Sequence, residues 1–130
     1  MKTIAIGVGC RKDASAESIA ALAREALARL PRRPDQIRLF SSARKADEAG
    51  LQQAAVALGC EIAFLDDADL LAASDRVVTR SAKSREVTGL DSLAEAAALA
   101  GAGPRAKIVV PRLTSPEAAC AIAAIDGDDA

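Results

Sequence analysis

The sequence predicts an α/β fold in which helices are layered on a largely parallel sheet. Short apolar runs that end in glycine or polar residues alternate with longer segments whose apolar residues recur every three or four positions. This alternation is typical of βα units, which present ligand-facing loops at the carboxyl ends of their strands. Apolar residues make up 51% of the chain but aromatic residues only 2%, so the core must be built from small aliphatic side chains at close spacing.

The first βα unit has the clearest pattern. An apolar run from Ile4 leads into a glycine-containing loop, and this predicts the first strand. The helix after this loop carries an apolar stripe from Ile19 to Leu30. Ser15 is placed to cap its amino end, and Pro31 ends the segment.

Two further units continue the same rhythm. Residues 37–41 predict a second strand, and the next helix has Asp47 as its predicted N-cap and Gly59 as its left-handed end. Gly50 lies inside that helix, where glycine costs ~1 kcal/mol relative to alanine unless a neighbouring element or ligand needs the space. Residues 60–65 predict a third strand and residues 66–73 a short helix.

The last third of the chain is less regular. Residues 81–86 are expected to form an exposed connection, after which Ser92 and Glu95 have the spacing of a capping box before an alanine-rich helix. Residues 106–110 predict a fourth strand that ends at Pro111.

The final apolar segment, residues 118–125, is ambiguous. Its alanines favour a helix, whereas its short length and position favour a buried strand, and we predict the strand. About five strands are then expected. We expect residues 1–126 to form one domain and residues 127–130 an acidic tail.

Composition narrows the function classes. Seventeen basic and eighteen acidic residues leave a formal charge of −1, and there is neither Trp nor Tyr, which argues against nucleic-acid binding. No apolar run approaches the ~20 residues that a membrane-spanning helix needs, and no secretory signal is recognisable. We therefore expect a soluble, cytoplasmic protein with no membrane or nucleic-acid partner.

Cysteine and histidine usage excludes several common sites. Cys10, Cys60 and Cys120 are spaced fifty and sixty residues apart, which fits neither a disulfide framework nor zinc ligation. The absence of histidine removes the commonest general base and metal ligand. We expect no metal and no cofactor.

The loop after the first strand is the leading candidate site. Gly7 and Gly9 permit close backbone approach, Arg11 and Lys12 add positive charge, and the next helix directs unpaired N–H groups at the same place. An anion site and a plain βα turn both fit this pattern. Lys12 occupies the position of the third glycine of a dinucleotide fingerprint, so nicotinamide binding is excluded.

Three other side chains have alternative interpretations. Cys10 lies beside cations that lower a thiol pKa, but a small buried cysteine is the favoured interpretation. Lys45 and Glu48 come after the second strand, where they either share a cleft with Arg11 or form a solvated ion pair.

Four motifs, in order along nearly the whole chain, resemble those of the cobalamin biosynthesis family that contains CobE and the C-terminal domain of CbiG. They are Gly7-Val-Gly-Cys-Arg-Lys-Asp-Ala-Ser15, Lys45-Ala-Asp-Glu-Ala-Gly-Leu51, the stretch from Ser81 to Gly89 with the following Ser92-Leu-Ala-Glu-Ala-Ala-Ala-Leu99, and the run from Pro111 to Ala123. Two departures stand out. Asp13 replaces the glycine usual in the first motif, and Arg112 replaces a usual lysine.

The resemblance implies a three-layer α/β/α sandwich, with a largely parallel or mixed sheet, and a role in building the corrin ring. The implied ligand is a precorrin or related tetrapyrrole, whose rim of acetate and propionate groups suits a cationic site. CbiG proteins open a lactone on such an intermediate and release acetaldehyde, and they carry an additional N-terminal region, so the chain is expected to be of the stand-alone CobE type. Binding is preferred to hydrolysis. A small phosphate-ligand or regulatory module is a further alternative.

Together, the resemblance and the cationic loop predict the site residues. Lys45 and Glu48 are the candidates for acid–base chemistry if the protein is a hydrolase. Other enzymes of the pathway are candidate partners, and the sequence indicates no oligomeric state. The predicted ligand-binding residues are Gly7, Gly9, Cys10, Arg11, Lys12, Ser15, Lys45, Glu48, Ser81 and Arg112.

Overall fold

Strands and helices alternate over the first part of the chain, as the apolar pattern predicts, then three helices follow one another and two adjacent strands complete the fold. A computed structural model describes residues 3–125; the predicted acidic tail, residues 127–130, lies outside the described residues. The elements are β1 (Thr3–Cys10), α1 (Ala16–Ala28), β2 (Gln36–Ser42), α2 (Ala49–Leu58), β3 (Ile62–Leu65), α3 (Asp67–Ala73), α4 (Ala82–Thr88), α5 (Leu93–Ala102), β4 (Ala106–Thr114) and β5 (Ala118–Ile125).

The five strands form one mixed sheet in the order β3-β2-β1-β5-β4. β1, β2 and β3 are parallel, whereas β5 runs antiparallel to both of its neighbours, β1 and β4. The predicted α/β fold is confirmed, and its sheet is mixed rather than largely parallel. The antiparallel insertion of β5 places the start of that strand beside the end of β1, where Cys10 is paired with Ala118.

Helices cover both faces of the sheet, which gives three layers. Alternate side chains of β1, such as Ile4 and Ile6, pack on the side of α1 and α2. Ala5 lies on the other face, in the cluster that includes α3 and α5. Because β1 is buried on both faces, its sequence is a continuous apolar run rather than an alternating one.

Most predicted caps are confirmed. The Ser15 hydroxyl accepts a hydrogen bond from the Ser18 N–H at 3.1 Å, and Gly59 adopts the left-handed conformation with φ of 69°. The cap predicted at Asp47 is wrong. A 3₁₀ turn extends the loop after β2, so α2 begins one residue later and Glu48 takes the N-cap position without a side-chain cap bond.

Two element predictions also need correction. Residues 81–86 were expected to form an exposed connection. Instead, Ser81 is the N-cap of helix α4 and residues 82–86 form the first part of that helix. The fourth strand does not stop at Pro111 but continues to Thr114. Proline is tolerated there because β4 is an edge strand with two register irregularities, so the missing N–H breaks little of the ladder. The preferred strand at residues 118–125 is confirmed as β5.

Candidate functional site

An open cleft of about 390 Å³ lies at the carboxyl end of β1 and the start of β5. Five of the predicted site residues line it: Gly9, Cys10, Arg11, Lys45 and Arg112. The remaining walls are largely apolar and come from α4, α5, the end of β4, the β4–β5 loop and the start of β5. They are formed by Val87, Leu93, Ala94, Pro116, Ala118 and Ala119, with Ser84, Thr88, Thr114, Ser115 and Glu117 as the further polar residues.

The three cations of the cleft come from three separate parts of the fold. Arg11 is exposed on the loop after β1, half-buried Lys45 lies on the 3₁₀ turn after β2, and half-buried Arg112 lies in β4. β1 and β2 are parallel, so the loops after them meet at one edge of the sheet. Arg112 approaches from the other side of β1, because β5 lies next to β1 on the side away from β2 and β4 lies next to β5. The expected meeting of Lys45 with Arg11 at one cleft is therefore present in the structure.

The backbone N–H groups of the glycine loop are occupied by carboxylates of the chain itself. Ser15 N–H donates to Glu117 Oε1 at 2.8 Å, and Asp13 N–H donates to Glu48 Oε2 at 2.9 Å. The Arg11 N–H donates to the Glu117 carbonyl at 2.9 Å, which ties the loop to the start of β5. The loop therefore offers a ligand its arginine and lysine side chains rather than these backbone donors.

The predicted site residues that do not line the cleft have other positions. Gly7 lies under α5, Lys12 is exposed on the loop next to Arg11, and Ser15 caps α1. Glu48 is half-buried behind the loop. Ser81 caps α4, the helix that supplies Ser84, Val87 and Thr88 to the cleft wall.

Asp13 adopts the left-handed conformation, with φ of 63°. This explains why the resembled family usually has glycine here, since glycine alone adopts that region without a Cβ penalty. Aspartate is one of the few other residues that tolerate it. The replacement of the usual glycine by Asp13 therefore changes backbone strain, while the Asp13 side chain lies outside the cleft lining.

We expect Asp13→Gly to be more stable than Asp13→Ala by about 1 kcal/mol, because only the alanine variant keeps a Cβ at positive φ. Urea unfolding of the two variants measures the difference. At an ordinary loop position alanine would be the more stable of the two, so a higher stability of Asp13→Ala would contradict the assigned backbone conformation.

Cys10 is a half-buried thiol in the cleft wall. Burial raises its pKa, Lys45 opposes this shift, and Glu48 and Glu117 add to it. The thiol therefore stays protonated at neutral pH, which agrees with the prediction of a small buried cysteine rather than a nucleophile. Burial likewise raises the pKa of Cys60, and it raises that of Cys120 to about 12.

Asp91 holds the segment that carries α4 against the domain. Its carboxylate accepts hydrogen bonds from the Ser81 N–H at 3.1 Å and from Arg80 at 3.0 Å, and it pairs with Arg85 at 3.0 Å. The hydrogen bonds from Arg80 and Ser81 lower the pKa of Asp91, with Arg85 adding to the shift. Since α4 has no buried residue of its own, these polar contacts take the place of apolar packing.

Glu95 is a fully buried carboxylate that was predicted only as part of a capping box. Ser92 does cap α5, accepting from the Glu95 N–H at 3.1 Å. The Glu95 side chain, however, accepts from the Val78 and Thr79 N–H groups, the Thr79 hydroxyl and the Arg112 N–H, at 2.6–3.0 Å. It thus joins the segment before α4 to β4 and fixes the backbone of Arg112 at the cleft.

The part of the chain that the structure describes contains no group of three or more Cys, Asp or Glu side chains arranged to hold a metal ion. Within residues 3–125, no helix is both long enough and apolar enough to cross a membrane.

The fold and the cleft define an α/β domain with a candidate ligand site at the carboxyl ends of parallel strands, where such proteins bind their ligands. Residues 4–123 match the family model described as Cobalamin synthesis G C-terminus, and the chain belongs to this family. It is a cobalamin biosynthesis protein of the CobE and CbiG C-terminal type.

Individual relatives agree with this assignment. Protein CobE from Sinorhizobium sp is 36% identical over 121 residues, which cover 92% of this chain and 79% of the relative. The crystal structure of CobE, a protein from the cobalamin (vitamin B12) biosynthetic pathway, has a TM-score of 0.83 at 35% identity and covers 93% of this chain and 89% of that one. The cobalamin biosynthesis protein chiG from Agrobacterium tumefaciens str. C58 has a TM-score of 0.71 at 36% identity, covering 95% and 98%.

Proposed function

We propose that this protein binds a precorrin or related corrinoid intermediate in the cleft between α4 and the glycine loop. The observation that carries the proposal is the convergence of Arg11, Lys45 and Arg112 around one largely apolar surface. Corrin precursors combine a flat apolar ring with a rim of carboxylates, and this arrangement of cations and aliphatic walls complements both features. The cleft is open, so a wide macrocycle can insert one edge.

The acidic residue in the cleft does not argue against an anionic ligand. One oxygen of Glu117 accepts the Ser15 N–H, so its charge is directed at the positive end of α1. Lys12 extends the cationic rim from its exposed position next to Arg11. Gly7, Ser15, Glu48 and Ser81 support the surrounding elements in this proposal.

The contacts of Glu48 favour binding over lactone hydrolysis. A hydrolase needs a group that takes a proton from the attacking water, and Lys45 and Glu48 are the candidates. Glu48 does not line the cleft, and its carboxylate accepts the Asp13 N–H. Lys45 does line the cleft, but a protonated lysine side chain has no acceptor with which to take a proton. We therefore expect the protein to bind the lactone intermediate without releasing acetaldehyde; acetaldehyde formation at a catalytic rate would instead support the hydrolase.

Spectral titration with hydrogenobyrinic acid tests the proposal. We expect saturable binding by the wild type and about tenfold weaker binding by Arg11→Ala and by Arg112→Ala, because each loses a charge-assisted contact worth about 1.4 kcal/mol. Arg105→Ala, which removes an exposed charge outside the cleft lining, is the matched control and should bind like the wild type.

Two results would contradict the proposal. One is equal affinity of all three variants, which would place the ligand elsewhere. The other is preferential binding of a nucleotide or phosphate, with no affinity for the corrinoid, which would favour the small phosphate-ligand module. Circular dichroism of each variant separates loss of the site from loss of the fold.

A further inference from the structure

A second, larger concavity lies at the opposite edge of the sheet from the cleft. This arginine groove, of about 1040 Å³, is bounded by the end of α1, the connector at residues 31–34, the start of β2 and the end of α2. Because β1, β2 and β3 are parallel, their starts and ends lie at opposite edges. The groove and the cleft can therefore be occupied at the same time, and a ligand in the groove is independent of the function proposed for the cleft.

Positive charge predominates in the arginine groove. Its lining contains four arginines and two carboxylates, which leaves two positive charges in excess, whereas the whole chain has a formal charge of −1. Arg38 is 4.0 Å from Glu61, but both side chains are well exposed, at 48% and 87%, and such a pair contributes little. Arg24 donates to the Ala57 carbonyl at 3.3 Å, a contact that leaves its charge in place.

The lining of the arginine groove also includes a set of aliphatic side chains, which we call its apolar floor. Leu27, Leu30, Ile37 and Leu58 are each only partly buried there, and Val56 on its wall is 81% exposed. The carboxyl ends of α1 and α2 also face this region, and their dipoles disfavour a small anion lodged at the floor. A fitting ligand thus carries apolar groups for the floor and separate acidic groups for the arginine tips.

The connector presents two of the arginines on a stiffened backbone. Arg32 and Arg33 are both exposed and are flanked by Pro31 and Pro34. Proline fixes its own φ and restricts the residue before it, so this segment loses less conformational entropy on binding than a flexible loop would. Such pre-organisation is useful for recognition of an extended chain.

We propose that the arginine groove is a docking surface for an acidic segment of a partner protein, one in which Asp or Glu alternates with aliphatic residues. Its carboxylates pair with Arg32, Arg33 and the arginines on the walls, and its aliphatic side chains cover Leu27, Leu30 and Ile37. Charge complementarity together with the exposed apolar floor selects a protein segment over a free anion.

Fluorescence anisotropy with a labelled synthetic peptide of Glu and Leu tests this inference. We expect the wild-type chain to bind it, and the double variant Arg32→Glu, Arg33→Glu to bind at least about tenfold more weakly. The double variant Lys83→Glu, Arg105→Glu makes the same change in net charge at exposed positions outside the groove and should bind like the wild type. A peptide with Gln in place of Glu should bind weakly to all three proteins.

Three outcomes would overturn the docking surface. They are absence of binding by the wild type, equal loss in both charge-reversal variants, and competition by inorganic phosphate or duplex DNA as effective as that by unlabelled peptide. The Arg32→Glu, Arg33→Glu variant should titrate hydrogenobyrinic acid as the wild type does. Failure of the corrinoid titration alone therefore leaves the groove inference standing, and failure of the peptide titration leaves the cleft proposal standing.

Discussion

Gly7→Ala is expected to destabilise the fold by about 3 kcal/mol or more. A Cβ at this position would overlap the carbonyl oxygen of Ala94 and lie 2.5 Å from the Ala98 nitrogen, both in the backbone of α5. A backbone cannot rotate away as a side chain can, so α5 would have to move off the sheet as a body. The same helix contacts all five strands of the sheet, so the displacement would spread through that layer.

Gly9→Ala provides the matched control. Its Cβ would lie 3.4 Å from Leu93 Cδ2, an ordinary contact with a flexible side chain, and we expect a change of less than about 1 kcal/mol. Both glycines belong to the same strand and the same motif. Both alanine variants lose the conformational freedom of glycine, and only Gly7→Ala also disturbs the close packing of α5. Urea unfolding measures both variants. Equal tolerance of the two alanines would contradict the contact between β1 and α5.

These glycines show how far the sequence predicts the site. A glycine-rich loop beside two cations has the same local pattern whether it binds an anion or admits a helix, because the partner of Gly7 is about ninety residues away in the chain. Gly50 is a similar case. Its Cβ would overlap the Ala14 carbonyl, so the space is used by a neighbouring element, which was one of the two predicted possibilities.

Secondary structure was predictable where the pattern is local. The stripe of α1 and its Ser15 cap are encoded within a few residues, and the alanine-rich β5 was assigned by length and position. Helix α4 was not predicted because it has no buried face, so its sequence shows no apolar periodicity. Its stability depends on Asp91, whose role is visible only after the chain has folded.

The candidate cleft was predicted in part. Arg11 and Lys45 come after parallel strands, so their proximity could be expected from the alternating pattern. Glu117 was missed because its position beside the loop depends on β5 running antiparallel to β1, and nothing in the local sequence specifies that direction. Glu95 was missed for a related reason, since a correct cap spacing concealed its long-range hydrogen bonds.

Glu95→Ala is expected to lower the free energy of unfolding by about 4 kcal/mol. Together with that of Gly7→Ala, this is one of the two largest effects we expect. The carboxylate is 0% exposed and accepts from three backbone N–H groups and one hydroxyl. Removing it leaves those donors without their partner in a buried site, which costs more than the loss of any single bond. Glu86→Ala, at an exposed position of α4, should change stability by less than about 0.5 kcal/mol.

The pH dependence of Glu95→Gln gives a second, independent test. Burial on its own raises the pKa of Glu95, but the hydrogen bonds from Thr79, Arg112 and Val78 outweigh it and lower the pKa below the ordinary value of 4.5. A lowered folded-state pKa means that the stabilisation is fully present above about pH 4.5 and is lost as the pH falls through the folded-state value.

We therefore expect the stability difference between the wild type and Glu95→Gln to be constant near neutral pH and to shrink below about pH 4.5, since glutamine does not titrate. Asp67 and Asp91, whose pKa values are also lowered, are present in both proteins, so their titration largely cancels in the comparison. Urea unfolding across this range measures the difference. A pH-independent difference would mean that folding does not favour the charged form of Glu95 and that its charge is not what holds the backbone of Arg112.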